Sequence, residues 1–217
     1  TVASGSNHWG CQYLNGLFGD GIEVGTTVTD KTTSGSVTTA GSGAAAAYGF
    51  TPAGVLAVSS RPAVLIAGDS ISIGTGDIWQ VGYLGIAFER NLVPYVRMGA
   101  GGSTGSAGVS LIQTDAQVRA MCAYVQAASW QYGVNSISSA GTGATSSMLS
   151  DAQTFATAFR ALVPAGRLSI STVMPVTETN NSAPLATGYW SSAKEAERIV
   201  YNNSLRASLP SGYNILW

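Results

Sequence analysis

The run Ala63-Val64-Leu65-Ile66-Ala67 passes without a polar interruption into Gly68-Asp69-Ser70-Ile71-Ser72-Ile73-Gly74. An unbroken apolar run closed by glycine suits a strand covered on both faces in a parallel sheet, the glycine letting the backbone turn sharply at its end. In open α/β sheets ligands sit beyond the carboxyl ends of the strands, so position alone makes Ser70 a candidate nucleophile. The competing local reading makes Ser70 a helix N-cap in an ordinary strand-to-helix turn.

From Arg61 onward strand-like and helix-like segments alternate. Strands are predicted at about 62–68, 93–98, 130–137, 167–174 and from 213 on. Helices are predicted at about 77–92 and 109–128, from Ser150, and from Ser192. The last two rest on capping-box patterns, Ser150-Asp151-Ala152-Gln153 and Ser192-Ala193-Lys194-Glu195. Ala196, Ile199, Val200 and Leu205 are expected to face the core from the final helix. The pattern βαβαβαβαβ predicts a flavodoxin-like three-layer α/β/α fold with a five-stranded parallel sheet and right-handed crossovers. Residues 1–60 read differently, with β-branched runs such as Thr26-Thr27-Val28-Thr29 between glycine-rich turns. They are expected to form a β-rich N-terminal extension to a domain spanning 61–217.

Composition narrows the function. Only 10% of the 217 residues are charged and the formal net charge is −1, which leaves no basic surface for a phosphate backbone and argues against nucleic acid as a partner. No apolar run approaches the roughly 20 residues of a membrane span. Thr1 in place of Met suggests a processed secretory product, an excised domain or a leader outside the given sequence, and low charge with abundant Gly, Ser and Thr fits an extracellular protein. Cys11 and Cys122 permit one disulfide at most, with Cys122 expected as a buried free thiol on a helix. One histidine and two cysteines match no zinc-ligand spacing, so neither a metal nor a cofactor is expected. Asn180-Asn181-Ser182 and Asn202-Asn203-Ser204 fit the glycosylation sequon.

Three predicted strand ends carry polar or glycine-rich groups on one rim: Ser70, the stretch Gly99 to Thr104, and Asn135 with Ser136. A hydroxyl, free backbone N–H groups and a side-chain amide are what acyl transfer needs, because the tetrahedral intermediate carries an oxyanion that preorganised donors stabilise.

Gly68-Asp69-Ser70-Ile71-Ser72 resembles the Gly-Asp-Ser block of the GDSL-type, or SGNH, hydrolases. Met98-Gly99-Ala100-Gly101-Gly102-Ser103-Thr104 is similar to the second block, which implies the Gly102 N–H as an oxyanion donor. Gly133-Val134-Asn135-Ser136 resembles the third, usually Gly-x-Asn-Asp, and implies the Asn135 amide as another; Ser136 stands where the family usually has Asp. The resemblance covers about 61–217. It implies a serine esterase working through an acyl-enzyme on Ser70, with short-chain acyl esters, acetyl esters of glycans among them, as substrates. Trp79, Tyr189 and Trp190 are expected to line the acyl or sugar site.

The family's fourth element, Asp-x-x-His after the fifth strand, does not occur in the sequence, whose one histidine is His8 in Ser6-Asn7-His8-Trp9. Three expectations follow. The preferred one is that the polypeptide continues past Trp217, or that a separate segment supplies the motif. The others are a fold kept for binding carbohydrate as an adhesin-like module, and His8 serving as a substituted base. Asp69 belongs to the first block and is expected to shape the turn. A nucleotide-binding reading fails because Thr104 closes the glycine-rich stretch and no acid ends the next strand. An α/β-hydrolase elbow fails because Ser72 holds the place of its last glycine.

Overall fold

Small and apolar side chains let the three inner strands of a five-stranded parallel sheet lie buried between helices. The protein is described here by a computed structural model covering residues 10–11, 49–50, 58–74, 82–176 and 191–217. Backbone contacts divide the chain into Thr1–Val55 and Leu56–Trp217. In the first unit, β1 (Gly10–Cys11) pairs antiparallel with β2 (Gly49–Phe50). The rest of the expected β-rich extension, with His8, lies outside the described residues, as do Trp79, Asn180, Tyr189 and Trp190.

The second unit holds β3 (Val64–Gly68), β4 (Tyr95–Gly99), β5 (Ala127–Gln131), β6 (Arg167–Ile170) and β7 (Ile215–Leu216), in the order β4-β3-β5-β6-β7 with every pairing parallel. Relative to the first strand of this unit the order is 2-1-3-4-5, that of flavodoxin-like sheets. Leu65, Ile66 and Ala67 on the central β3 are at most 1% exposed, as an unbroken apolar strand requires. The registers that pair Gly68 with Gly99 and with Gln131 end three strands at one level. The functional rim is set by that alignment.

The helices are α1 (Ser70–Ile73), α2 (Gly82–Arg90), α3 (Gly105–Thr114), α4 (Ala116–Met121), α5 (Val134–Ala140), α6 (Ala144–Leu162) and α7 (Ser192–Ala207), with a 3₁₀ turn at Cys122–Tyr124. The indole of Trp130 packs 4.7 Å from the ring of Tyr132 and 4.8 Å from that of Phe155, anchoring α6 to the sheet. Cys122 is a buried free thiol.

Four expectations about elements are corrected. The helix read over 109–128 is divided, because the Asp115 carboxylate accepts from the N–H groups of Gln117 and Val118 and starts a new helix there. The strand read over 130–137 runs from Ala127 to Gln131, and Val134 already begins α5, so Asn135 stands on a first helical turn. Ser150 lies inside α6, which starts at Ala144; Glu197, from α7, accepts from the N–H groups of Gly143 at 3.0 Å and Thr145 at 2.6 Å in place of a local cap. On α7 the cap is Ser191, whose hydroxyl accepts from Lys194 N–H, and the buried face carries Tyr201, Asn202 and Leu205 while Ala196, Ile199 and Val200 are exposed.

Candidate active site at the strand ends

Ser70 opens α1, held in place by its neighbours. Asp69 is the N-cap in extended conformation, its Oδ1 accepting from Ile71 N–H at 3.0 Å, and Ser72 Oγ donates back to the Asp69 carbonyl at 2.8 Å. A Cβ on Gly68 would lie 2.2 Å from Ser72 Oγ, so this doubled turn closes only over glycine. The N-cap that the competing reading gave to Ser70 is thus Asp69. Among the described residues the half-buried Ser70 hydroxyl has no hydrogen-bond partner.

Beyond β4 the chain turns through Ala100–Ser103, closed by Ser103 N–H on the Ala100 carbonyl at 3.1 Å. Gly102 takes φ +79° in that turn, in the left-handed region that side chains resist. It is exposed, and a Cβ there would meet nothing within 4 Å, so the demand for glycine is conformational.

Two hydrogen bonds then tie this loop to α5. Asn135 Nδ2 donates to the Ser103 carbonyl at 3.0 Å, and Gly105 N–H donates to Ser136 Oγ at 3.2 Å. The primary amide of Asn135 keeps its second N–H for another acceptor. Ser136, in the place where Asp is usual, fastens the same loop with a neutral acceptor.

Asp69 is 1% exposed, and burial pushes its carboxyl from 3.8 to about 6, against the lowering effect of the Ile71 N–H bond. Its Oδ2, like Gln131 Oε1, is buried with no partner among the described residues. Groups of three or more possible metal-ligating side chains are absent among the described residues.

The fold of a possible lipase of Chitinophaga pinensis is similar to this one, with a TM-score of 0.51 and 15% identity, over 71% of this chain and 66% of that one. The chain has the GDSL-type, or SGNH, hydrolase fold. A GDSL-like lipase of Bacteroides thetaiotaomicron aligns with TM-score 0.47 and 14% identity over 67% of this chain and 62% of its own. A psychrotrophic esterase of a Pseudoalteromonas species aligns with TM-score 0.49 and 10% identity over 72% and 78%. The chain therefore spans less than two thirds of the Bacteroides structure. No protein-family model and no curated protein matches the sequence.

On this SGNH fold the register puts Ser70, Gly102 and Asn135 on consecutive turns of one rim, two, three and four residues past the aligned strand ends. Sequence reasoning passed over Gln131, Tyr83 and Ser171, which line a cavity beside Asp69. The signal available for Gln131 was a polar residue ending the buried run Ala127-Ala128-Ser129-Trp130.

Proposed function

We propose that the chain carries the nucleophile and oxyanion donors of a serine ester hydrolase. Ser70 Oγ attacks the ester carbonyl carbon while its proton passes to a base, and the C=O electron pair moves onto oxygen. The N–H groups of Gly102 and Ser70 and the second N–H of Asn135 hold that oxyanion. The intermediate collapses, the protonated alcohol leaves, and water releases the acid from the Ser70 ester. The observation that carries this reading is the register that ends β3, β4 and β5 at Gly68, Gly99 and Gln131 beneath these three residues.

None of the described residues is a histidine. The base is proposed to come from a segment of the Asp-x-x-His kind, continuous with the chain or separate, and short acyl esters, acetylated glycans among them, are the proposed substrates. Aromatic faces at Trp79, Tyr189 and Trp190 suit a sugar. The product of such a reaction is an extracellular carboxylic acid, in keeping with a secreted enzyme.

The test is p-nitrophenyl acetate hydrolysis with imidazole supplied as an external base. Turnover should rise with imidazole beyond the reaction of the same imidazole solution without protein, and Ser70→Ala should abolish that excess. An equal rise in Ser70→Ala would remove Ser70 from the mechanism. A sequence without the Asp-x-x-His motif also suits a second reading, a carbohydrate-binding module; acetylated-glycan binding without turnover in any of these conditions would select it.

A further inference from the structure

A cavity opens on the rim between the ends of β3, β5 and β6, lined by Asp69, Tyr83, Gln131, Ser171, Val173 and Met174 among others. Its floor is polar. Asp69 and Gln131 are 1% and 7% exposed, and Asp69 Oδ2 and Gln131 Oε1 are without partners among the described residues. Tyr83 and Ser171 stand on the same lining. At the mouth stand Tyr83 and Met174, 41% and 48% exposed.

With Asp69 ionised, the two orphaned oxygens are both acceptors, so whatever satisfies them must donate twice. Asp69 is the one charged residue among the described lining residues, with no Lys, Arg or His beside it. A buried carboxylate is costly without an opposite charge, which a water molecule does not bring. A primary ammonium carries three N–H bonds on one atom, so a single such group can donate to both oxygens and bring the opposite charge.

We propose that this cavity binds a primary ammonium group, whose N–H bonds go to Asp69 Oδ2 and Gln131 Oε1. The substituent of a larger amine leaves by the mouth between Tyr83 and Met174. The proposal stands apart from the ester-hydrolase reading, because nothing in it depends on Ser70.

Thermal unfolding tests it at a pH where Asp69 is ionised and at constant ionic strength. Ammonium chloride is compared with tetramethylammonium chloride, whose cation has no N–H and does not fit. Ammonium at tenfold excess over its Kd should raise Tm by about 4 °C. Asp69→Asn, which retains an N-cap acceptor, should lose the rise, and so should Gln131→Leu. Should Asp69→Asn fold poorly, Gln131→Leu and calorimetric titration of the wild type with ammonium still decide. Methylammonium separates the sources: protection by both amines marks a site for an ammonium borne on a larger molecule, and protection by ammonium alone marks a site for the free ion. Equal Tm in ammonium and tetramethylammonium, or a rise that survives both substitutions, would overturn the proposal, leaving water or a turned Gln131 amide to satisfy Asp69.

Discussion

The side-chain amide of Asn135 donates to the carbonyl oxygen of Ser103 at 3.0 Å, one residue beyond Gly102. One N–H thus fixes the turn that presents a proposed oxyanion donor while the other stays available. Asn135→Ala should therefore fail twice. The rate of Ser70-dependent ester hydrolysis should fall about a hundredfold, as for loss of one oxyanion donor. Stability should fall by about 1 kcal/mol for the lost loop tie. Kinetics and urea unfolding on the same preparation check both, and an unchanged rate beside a lowered stability would reduce Asn135 to a loop fastener.

Gly99 and Gly102 stand three residues apart and need glycine for different reasons. A Cβ on Gly99 would lie 1.9 Å from the Gly68 carbonyl oxygen, part of the backbone that carries Asp69 and Ser70. Gly99→Ala must push the edge strand β4 away from β3 and should cost about 3 kcal/mol or more. Gly102 has open space but φ +79°, so Gly102→Ala should cost only about 1 kcal/mol, the expense of a left-handed side chain. Denaturant midpoints of the two variants give the comparison directly.

Asp69 makes stability depend on pH in an unusual direction for a carboxylate. Its folded pKa is raised to about 6 by burial, above the ordinary 3.8, so the folded state holds the proton more tightly than the unfolded chain does. The resulting stability is present below about pH 4 and is lost as pH rises through about 6. The loss is at most about 3 kcal/mol. The facing titratable groups, Tyr83 and Tyr132, have phenols pushed upward by burial and stay neutral across that window. Asp69→Asn should remove the trend, so that the stability difference between wild type and variant changes between pH 4 and 7. A bound ammonium would flatten the wild-type curve as well, because it favours the ionised carboxylate.

The strand from Val64 to Gly68 was legible because a buried parallel strand announces itself in such an apolar run, and so were the turn residues that follow it. The strand read over 130–137, by contrast, lies at Ala127–Gln131, where Ala127-Ala128-Ser129 carries no β-branched signal. Helix starts were less legible wherever the capping group is remote. Nothing near Ala144 marks the beginning of α6, since its free N–H groups are taken by Glu197 more than fifty residues away. Burial on α7 was misread because its amphipathic stripe is not purely apolar: Asn202 faces inward while Ile199 and Val200 face out. At the candidate site, Ser70, Gly102 and Asn135 could be named from local patterns, but the Asp69–Gln131 cavity arises from strand register, which no local pattern contains.

Asn202 also decides the fate of one sequon. It is 2% exposed, its Oδ1 accepting from Val173 N–H at 2.8 Å and its Nδ2 donating to the Val173 carbonyl at 2.9 Å. This pair continues, through a side chain, the backbone pairing that ends with Ser171 N–H on the Trp130 carbonyl and Thr172 N–H on the Trp217 carbonyl, and it holds Val173, which lines the cavity. A glycosyltransferase cannot reach that nitrogen in the folded chain, so expression in a glycosylating host should leave Asn202 unmodified in the folded protein, as peptide mass mapping would show. Asn202→Ala would strand the buried Val173 N–H, while the Val173 carbonyl keeps the bond it accepts from Arg198 Nη1 at 3.2 Å, and should cost about 2 kcal/mol. Asn202→Asp keeps the acceptor for Val173 N–H but sets a carboxylate against the Val173 carbonyl, and should be similarly harmful at neutral pH and partly relieved in acid, where the protonated carboxyl regains a donor. If the acid relief is missing while both variants are destabilised, packing around Asn202 rather than its hydrogen bonds holds this part of the wall.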